Sequence, residues 1–294
     1  MRLLFPFAKR FIAGMDIHDS SVVFQNHLDQ NYTVIANLVG ENTQSLEGIE
    51  SNYLEYEKLL KKFSDEAFTI SVKLTSIGMD HSYEETIKNL TQLAQLAKIN
   101  NQMIRLDMED STYTQRTIEV CKSIHSEFKG SVGITLQANL FRTETDLLDL
   151  IRNGISIRLV KGAYIENDQI AYTDTEVIRQ KFLDHAKTLI ADEGVRHSIA
   201  THDEELLTEI ALINEMSNHR FEFLFGVRRD LQKAFNSSHD VGIYMPYGKE
   251  WVSYTLRRLK EFKNIRFVAK PATPTDAIDR RARADSQAMK EFCV

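Results

Sequence analysis

Four charged residues lie at the ends of short apolar runs, where solvated surface residues are not expected. Lys73, Asp107, Arg158 and Lys161 each lie in or directly after a run of aliphatic and β-branched residues. A buried charge is unfavourable unless it is paired or meets an oppositely charged ligand. An internal salt bridge, for example Lys73 with Asp107, explains any single residue as well as a functional role does. For the whole set, a ligand site is favoured.

A second group of candidate ligand-binding residues lies towards the C-terminus. Tyr254 precedes Arg257 and Arg258 by three and four residues, so one helical face presents an aromatic ring and guanidinium groups together. This combination suits a small ligand with a carboxylate and an apolar body, because arginine binds carboxylates in bidentate geometry. Taken alone, the segment is more simply interpreted as a solvated basic stripe, since Lys260 and Lys263 continue it.

Other chemistry has little support in the sequence. The histidines lack HExxH spacing, no G-x-S-x-G elbow occurs, and Cys121 and Cys293 form no CxxC pair. No metal site is therefore predicted. The net charge of −6 argues against a nucleic-acid partner.

Eight short β-branched runs alternate with amphipathic stretches. The predicted strands are Tyr32–Leu38, Phe68–Leu74, Met103–Leu106, Gly133–Leu136, Ile155–Val160, His197–Ala200, Phe221–Leu224 and Val241–Tyr244. The predicted helices between them are Ser82–Ile99, Thr112–Phe128, Thr143–Asn153, Glu176–Asp192, Glu204–Met216 and Arg228–Asn236. This alternation predicts a (β/α)8 TIM-like barrel, whose active site lies where the strands end. An open doubly wound sheet is the alternative, but no G-x-G-x-x-G turn follows the first strand.

The chain of 294 residues is long enough for one barrel domain over 1–294. We expect an N-terminal helical extension over about residues 1–30 and the barrel over about 31–294. Pro6 interrupts the first apolar stretch, and no run reaches the length of a membrane span. A cytoplasmic protein is expected, with peripheral contact at the inner face of the cell membrane left open.

Several segments resemble the proline dehydrogenase family, of the monofunctional bacterial type. Arg158-Leu-Val-Lys-Gly-Ala-Tyr164 is similar to the fifth-strand signature of that family. Tyr244-Met-Pro-Tyr-Gly248, followed by Tyr254-Thr-Leu-Arg-Arg-Leu259, resembles its final strand and helix. Shorter agreements in the same order are Phe11-Ile-Ala-Gly14, Val72-Lys-Leu74, Leu106-Asp-Met-Glu109 and Ala200-Thr-His202. The resemblance spans most of the chain.

The resemblance implies a distorted barrel that binds FAD without a covalent bond. The implied reaction is oxidation of L-proline to Δ1-pyrroline-5-carboxylate, the first step of proline catabolism to glutamate. A hydride would pass from proline to N5 of FAD, and electrons would pass on to a membrane quinone. A separate pyrroline-5-carboxylate dehydrogenase would carry out the next step.

The resemblance also implies roles for individual residues. Arg257 and Arg258 would bind the proline carboxylate together with Lys73, and Asp107 would orient the substrate and balance Lys73. The residues packed on the pyrrolidine ring would be Leu224, Tyr244 and Tyr254. The FAD-binding residues would be Gln137, Arg158, Lys161, Ala163, Tyr164, Thr201, His202 and Asp203.

The chain departs from the family pattern at three places. Asp203 stands where asparagine is usual, and Arg220-Phe-Glu-Phe-Leu224 replaces a Glu-Phe-Gln-like segment. Tyr172-Thr-Asp-Thr175 lacks the basic residues that often close the site.

Two other functions stay open from the residues alone. One is an aldolase or decarboxylase with Lys161 or Lys73 as Schiff-base nucleophile, and the other is a barrel that only binds a small carboxylate.

Overall fold

The computed structural model describes residues 10–213, 219–252 and 254–256. Eight parallel strands close a barrel in which each strand pairs with its sequence neighbours and the first pairs with the last. The strands are β1 (Thr33–Leu38), β2 (Phe68–Val72), β3 (Met103–Leu106), β4 (Val132–Gln137), β5 (Ser156–Val160), β6 (Ser198–Ala200), β7 (Arg220–Leu224) and β8 (Val241–Tyr247). The predicted (β/α)8 barrel is confirmed.

Helices cover the outside of the barrel. They are α1 (Ile17–Leu28), α2 (Leu46–Lys62), α3 (Tyr83–Ile99), α4 (Ser111–Glu127), α5 (Thr143–Arg152), α6 (Thr175–Ile190), α7 (Glu204–Ile213) and α8 (Arg229–Asn236). Helix α1 falls within the predicted extension, whereas residues 1–9 lie outside the described residues. The predicted end of the barrel domain at residue 294 also lies outside them, so these domain limits stay a prediction.

Each strand has an outer apolar face and an inner polar face. In β3, Ile104 and Leu106 are fully buried against the helices, as are Ile157 and Leu159 of β5. Parallel strands covered by helices need such an outer face, because it supplies the core between sheet and helices. The alternate residues point into the barrel. They include Ser71, Arg105, Asp107, Arg158, Glu222 and Tyr244, so the barrel interior is charged and polar.

Helix α1 packs against the barrel through one aromatic side chain. The Phe24 ring centre lies 5.7 Å from those of Phe68 in β2 and Tyr247 in β8, with edge-to-face geometry. Edge-to-face pairs of this kind add about 0.5–1.5 kcal/mol to the apolar burial. The N-terminal helix is therefore anchored across the pair of strands that flank β1.

A buried histidine connects β5 to the loop before β6. The amide of Ile157 donates to Nδ1 of His197 at 3.1 Å, and Nε2 of His197 lies 2.8 Å from Oδ2 of Asp192. Because Nδ1 accepts, the ring proton is on Nε2 and is donated to Asp192. Burial lowers the pKa of His197 to about 4, against the opposing effect of Asp192. The folded chain therefore holds this ring neutral where the unfolded chain protonates it.

We expect His197→Asn to flatten the acid side of the stability profile. With a folded pKa of about 4 and an ordinary value of 6.5, the unfolded state binds the extra proton between these pH values. The free energy of unfolding therefore falls as the pH falls through this window, by about 1.4 kcal/mol per pH unit and about 3 kcal/mol in all. Asparagine does not titrate, so the variant loses this slope in urea unfolding from pH 7 to pH 4. The exposed His18 is the control, and His18→Asn should keep the slope. An unchanged slope in His197→Asn would exclude His197 as its source.

Candidate active site

A network of buried charges lies in the barrel towards the C-terminal ends of the strands. Oδ1 of Asp107 forms a salt bridge with Nη2 of Arg158 and accepts a hydrogen bond from Oγ of Ser71 at 2.5 Å. The hydroxyl of Tyr244 donates to Oδ2 of Asp107 at 2.7 Å, and its ring centre lies 5.1 Å from the guanidinium carbon of Arg158. Oε2 of Glu222 lies 3.6 Å from Nη1 of Arg158. The network thus joins residues from β2, β5, β7 and β8 with the residue that follows β3.

The partners in this network keep one another ionised. Burial alone would raise the pKa of Asp107, but the charges of Arg158 and Lys73 and the hydrogen bonds of Ser71 and Tyr244 hold it below its ordinary value. Burial also disfavours the charged form of Arg158, and the carboxylates of Asp107 and Glu222 outweigh this and raise its pKa. Removal of one partner therefore leaves an uncompensated buried charge, which typically costs about 3–5 kcal/mol.

Lys73 lies directly after β2 and has a different partner from the one predicted. Its Nζ is 3.3 Å from Oε2 of Glu41, in the loop after β1, and 3.2 Å from the hydroxyl of Tyr164. The salt bridge of Asp107 goes to Arg158, so the suggested direct pair of Lys73 with Asp107 is not formed. Burial lowers the pKa of Lys73, but Tyr164, Asp107 and Glu41 raise it above its ordinary value. The ammonium group stays protonated, which suits an anionic ligand.

The loop that follows β5 crosses this end of the barrel and is fastened to two neighbouring loops. The carboxylate of Glu166 accepts from the amide and the hydroxyl of Ser111, at 2.9 and 2.6 Å, at the start of α4. Leu140, after β4, forms an antiparallel bridge with Ala171. These contacts hold the loop in place, and the loop in turn presents Tyr164 to Lys73.

Lys161 and Asp203 form a second group, where β5 and β6 end. Nζ of Lys161 is 2.6 Å from Oδ2 of Asp203, and Nε of Arg179 is 3.0 Å from the same oxygen. The amide of Asp203 donates to Oγ1 of Thr201 at 3.2 Å. Burial raises the pKa of Asp203, whereas Lys161 and Arg179 hold it below its ordinary value. Asp203 is thus ionised and neutralises part of the positive charge of Lys161.

Two further predicted residues, His202 and Gln137, form hydrogen bonds between neighbouring strand ends. The amide of Leu224 donates to Nε2 of His202 at 3.0 Å, which connects β7 with the end of β6. Nε2 of Gln137 donates to the carbonyl of Glu109 at 3.1 Å and connects β4 with the segment after β3. Ala163 is exposed in the loop after β5.

Of the candidate residues Tyr254, Arg257 and Arg258, the structure describes Tyr254. Tyr254 is 9% exposed. Burial and Asp107 raise the pKa of Tyr244, and Tyr254 adds to that effect. Arg257 and Arg258 lie outside the described residues.

Three members of the site were not predicted as site residues. Ser71 and Glu222 belong to the buried network, and Glu41 pairs with Lys73. The sequence carried a signal for two of them, because side chains two residues apart on a strand point to the same face. Ser71 lies two residues before Lys73, and Glu222 lies two residues before Leu224. Glu41 lies in a loop and has no comparable pattern.

With this geometry established, comparisons with known proteins identify the family. The family profile described as Proline dehydrogenase matches residues 23–270. The chain belongs to this family. Proline dehydrogenase 2 of Bacillus subtilis is 30% identical over 275 residues, which cover 90% of each chain. The proline dehydrogenase of Deinococcus radiodurans is 31% identical over 282 residues, which cover 89% of this chain and 88% of its own. As a proline dehydrogenase the chain is an oxidoreductase, and oxidation of proline is the first step of proline catabolism.

Solved structures support the same fold. Proline utilization A from Bdellovibrio bacteriovorus, inactivated by N-propargylglycine, superposes with a TM-score of 0.82 and 22% identity over 90% of this chain. A second proline utilization A structure, with proline bound in remote sites, gives a TM-score of 0.78 and 19% identity. This proline dehydrogenase spans 33% and 31% of those two longer chains. Within the described residues, no helix has the length and apolarity needed to cross a membrane.

Proposed function

We propose that the chain oxidises L-proline to Δ1-pyrroline-5-carboxylate with a non-covalently bound FAD, at the C-terminal end of the barrel. The observation that carries the proposal is the buried guanidinium of Arg158. Its Nη2 is bound to Asp107, whereas Nε and Nη1 have no hydrogen-bond acceptor among the described residues. Buried donors without acceptors are unfavourable, so a ligand that supplies acceptors is expected here.

The residues at this end of the barrel fit a flavin, and the family depends on flavin in general. Nε and Nη1 of Arg158, of which Nη1 also lies 3.6 Å from Oε2 of Glu222, suit the carbonyl and ring nitrogen of an isoalloxazine. Lys161 supplies a cation for the pyrophosphate. Gly162, with φ of +115°, has no Cβ and so leaves space for the side chain of Asn139, whose Oδ1 lies where that Cβ would be. That oxygen is itself buried without a partner among the described residues. Gln137, Ala163, Tyr164, Thr201, His202 and Asp203 complete the proposed FAD site.

A bound FAD would supply the hydride acceptor, at N5, and a membrane quinone would take up the electrons. The chain's own residues bind and orient the substrate. The protonated Lys73, with Arg257 and Arg258, would bind the carboxylate, while Leu224, Tyr244 and Tyr254 would pack on the ring and exclude water. The hydroxyl of Tyr244 donates to Asp107 at 2.7 Å, which fixes the orientation of the Tyr244 ring that would pack on the substrate.

A visible spectrum followed by anaerobic addition of L-proline tests the proposal. Flavin bands that bleach with L-proline and not with D-proline are the expected result. A flavin that resists L-proline would overturn the substrate assignment. A colourless protein that stays inert when supplied with FAD would overturn the cofactor.

Arg258→Met should lower kcat/KM for L-proline at least about tenfold, a loss of at least about 1.4 kcal/mol of transition-state stabilisation. The reason is the loss of a charge-assisted bond to the substrate carboxylate. Steady-state kinetics measure it, and Lys263→Met, in the same basic segment, is the control expected to stay near wild type. Equal kinetics for the two variants would favour a solvated basic stripe.

The alternative of a Schiff-base enzyme has less support. A nucleophilic lysine must be neutral, whereas the pKa of Lys73 is raised and Lys161 is bound to Asp203. Borohydride with a carbonyl substrate should therefore leave no covalent adduct.

We further propose one catalytic domain over 1–294 in a cytoplasmic protein, with peripheral contact at the membrane for quinone reduction. A separate pyrroline-5-carboxylate dehydrogenase would use the product.

A further inference from the structure

A cavity of about 650 Å³ opens at the opposite end of the barrel. Its walls are the first residues of β1, β2, β3, β5, β6 and β7 and the loops before β2 and β3. All strands are parallel, so this N-terminal mouth lies at the other end of the barrel from Lys73 and Lys161. None of its lining residues has a part in the proposed oxidation.

Three arginines line the cavity and are held close together. Nη1 and Nη2 of Arg105 donate to the carbonyl and Oγ of Ser156 at 2.6 and 3.0 Å. Oγ of Ser156 donates in turn to the carbonyl of Arg196 at 2.5 Å. Arg196 and Arg220 both form salt bridges with Oδ2 of Asp240, the latter at 2.7 Å. A single carboxylate oxygen is thus shared by two guanidinium groups.

The barrel interior provides space for these side chains through two glycines. A Cβ at Gly133 of β4 would lie 2.5 Å from Nη1 of Arg105. A Cβ at Gly242 of β8 would lie 2.9 Å from Cδ of Arg220. The lack of a side chain at both positions is therefore what lets the arginines occupy the mouth. Arg105, which is 3% exposed, is part of the construction of the barrel and not a surface charge.

The acidic residues of the cavity lie on the far wall. Asp65 and Glu66 line it from the loop before β2, and Glu66 accepts a hydrogen bond from Gln25 at 3.3 Å. In the closed barrel β2 stands opposite β6, and the first residues of β5, β6 and β7 are Ser156, Ser198 and Arg220. Arg196 and Arg220 therefore line the opposite wall, next to serine hydroxyl groups, where they share the carboxylate of Asp240.

The arginines also destabilise one another's charged forms. Burial lowers the pKa of Arg105 to about 10, and Arg158 and Arg220 add to the effect while Glu222, deeper in the barrel, opposes it. Burial and Arg220 likewise lower the pKa of Arg196, against the opposing charge of Asp240. A bound anion would relieve this repulsion.

We propose that the N-terminal mouth of the barrel binds a small dianion that carries a phosphate group. Arginine forks match tetrahedral oxyanions, and the hydroxyl of Ser198, which lines the cavity, supplies a further donor. The cavity is larger than inorganic phosphate, so the phosphate ester of a small metabolite fits. Arg196 is the least buried of the three arginines, with a side chain 46% exposed, and is placed to meet the ligand first.

Titration calorimetry of the full chain with inorganic phosphate tests the site, at constant ionic strength and in excess FAD to occupy the proposed cofactor site. We expect saturable binding with a Kd below about 1 mM. Arg196→Met should raise the Kd at least about fivefold, and Arg196→Lys, which keeps the charge but loses the fork, should raise it less. Arg116→Met removes an exposed charge on α4 and should stay within about twofold of wild type.

Three results would overturn the proposal. Heats that do not saturate would mean that phosphate acts only as a salt. Equal affinities for Arg196→Met and Arg116→Met would mean that the ligand binds elsewhere. Loss of phosphate binding on addition of L-proline would place the anion in the active site. Because Arg220→Met removes a second member of the cluster, it repeats the test should Arg196→Met fail to fold.

Discussion

Asp107→Asn should lower kcat/KM for L-proline at least about a hundredfold, a loss of at least about 2.7 kcal/mol of transition-state stabilisation. In the folded chain the two carboxylate oxygens of Asp107 accept from Arg158, Ser71 and Tyr244. Asparagine offers one oxygen and an NH2 group, so at least one of these donors then faces another donor. Either Tyr244 or Arg158 therefore loses the acceptor that orients it. The free energy of unfolding should also fall by about 3 kcal/mol, because Arg158 stays buried with Glu222, at 3.6 Å, as its remaining carboxylate.

The kinetic part of this prediction needs a control for general damage. Asp110→Asn makes the same chemical change three residues further along the chain. Asp110 is the N-cap of α4 and accepts from the amide of Thr112, a role that asparagine performs equally well. This control should keep wild-type kinetics and stability. Kinetics are expressed per bound flavin, and stability is measured by urea unfolding. If Asp107→Asn lost stability and kept kcat/KM within about threefold per flavin, Asp107 would have a structural role alone.

The fold could be predicted because its main determinant is local. Short β-branched runs separated by amphipathic stretches predicted all eight strands, and the predicted Met103–Leu106 coincides with β3. The predicted eighth strand ended too early, at Tyr244, whereas β8 continues to Tyr247. Within this extension, Pro246 lacks an N–H group. In the barrel its carbonyl accepts from the amide of Ala13 at 2.8 Å, and pairing with β1 continues through Tyr247.

Strand position predicted which charged residues lie at this end of the barrel, but not which of them pair with one another. Strand position identified Lys73, Asp107, Arg158 and Lys161, and all four lie at or near the C-terminal end of the barrel. Their partners depend on which side chains meet across the barrel. Lys73, after β2, pairs with Glu41, after the neighbouring β1. Asp107, after β3, pairs with Arg158 of β5, with β4 between them. Such pairs follow from closure and strand register, which no local pattern in the chain encodes.

The arginine cluster at the N-terminal mouth could not be predicted for the same reason. Arg105 stands two residues before Asp107, so the alternation of β3 points both side chains into the barrel. The sequence alone does not show that Arg105 extends over Gly133 to reach Ser156 at the start of β5. Small residues on the inner face, such as Gly133, indicate where a long side chain from a neighbouring strand is accommodated.

Arg158 lies between two buried carboxylates, and its replacement should have the largest combined effect. In Arg158→Met, Asp107 and Glu222 lose their shared cation, so the free energy of unfolding should fall by about 3–5 kcal/mol. The proposed contacts of Nε and Nη1 with the flavin are lost as well. Each is a charge-assisted hydrogen bond of about 1.5–3 kcal/mol, so loss of both should raise the Kd for FAD at least about 150-fold.

A compensated variant separates these two effects. Asp107→Asn and Glu222→Gln, added to Arg158→Met, remove the unpaired charges and keep the volume of the side chains, so most of the lost stability should return. The affinity for FAD should not return, because the donors of Arg158 are still absent. Urea unfolding gives the first quantity, and flavin fluorescence quenching gives the second. Recovery of both would show that Arg158 only balances the carboxylates, whereas recovery of stability alone identifies its guanidinium as a direct ligand of the cofactor.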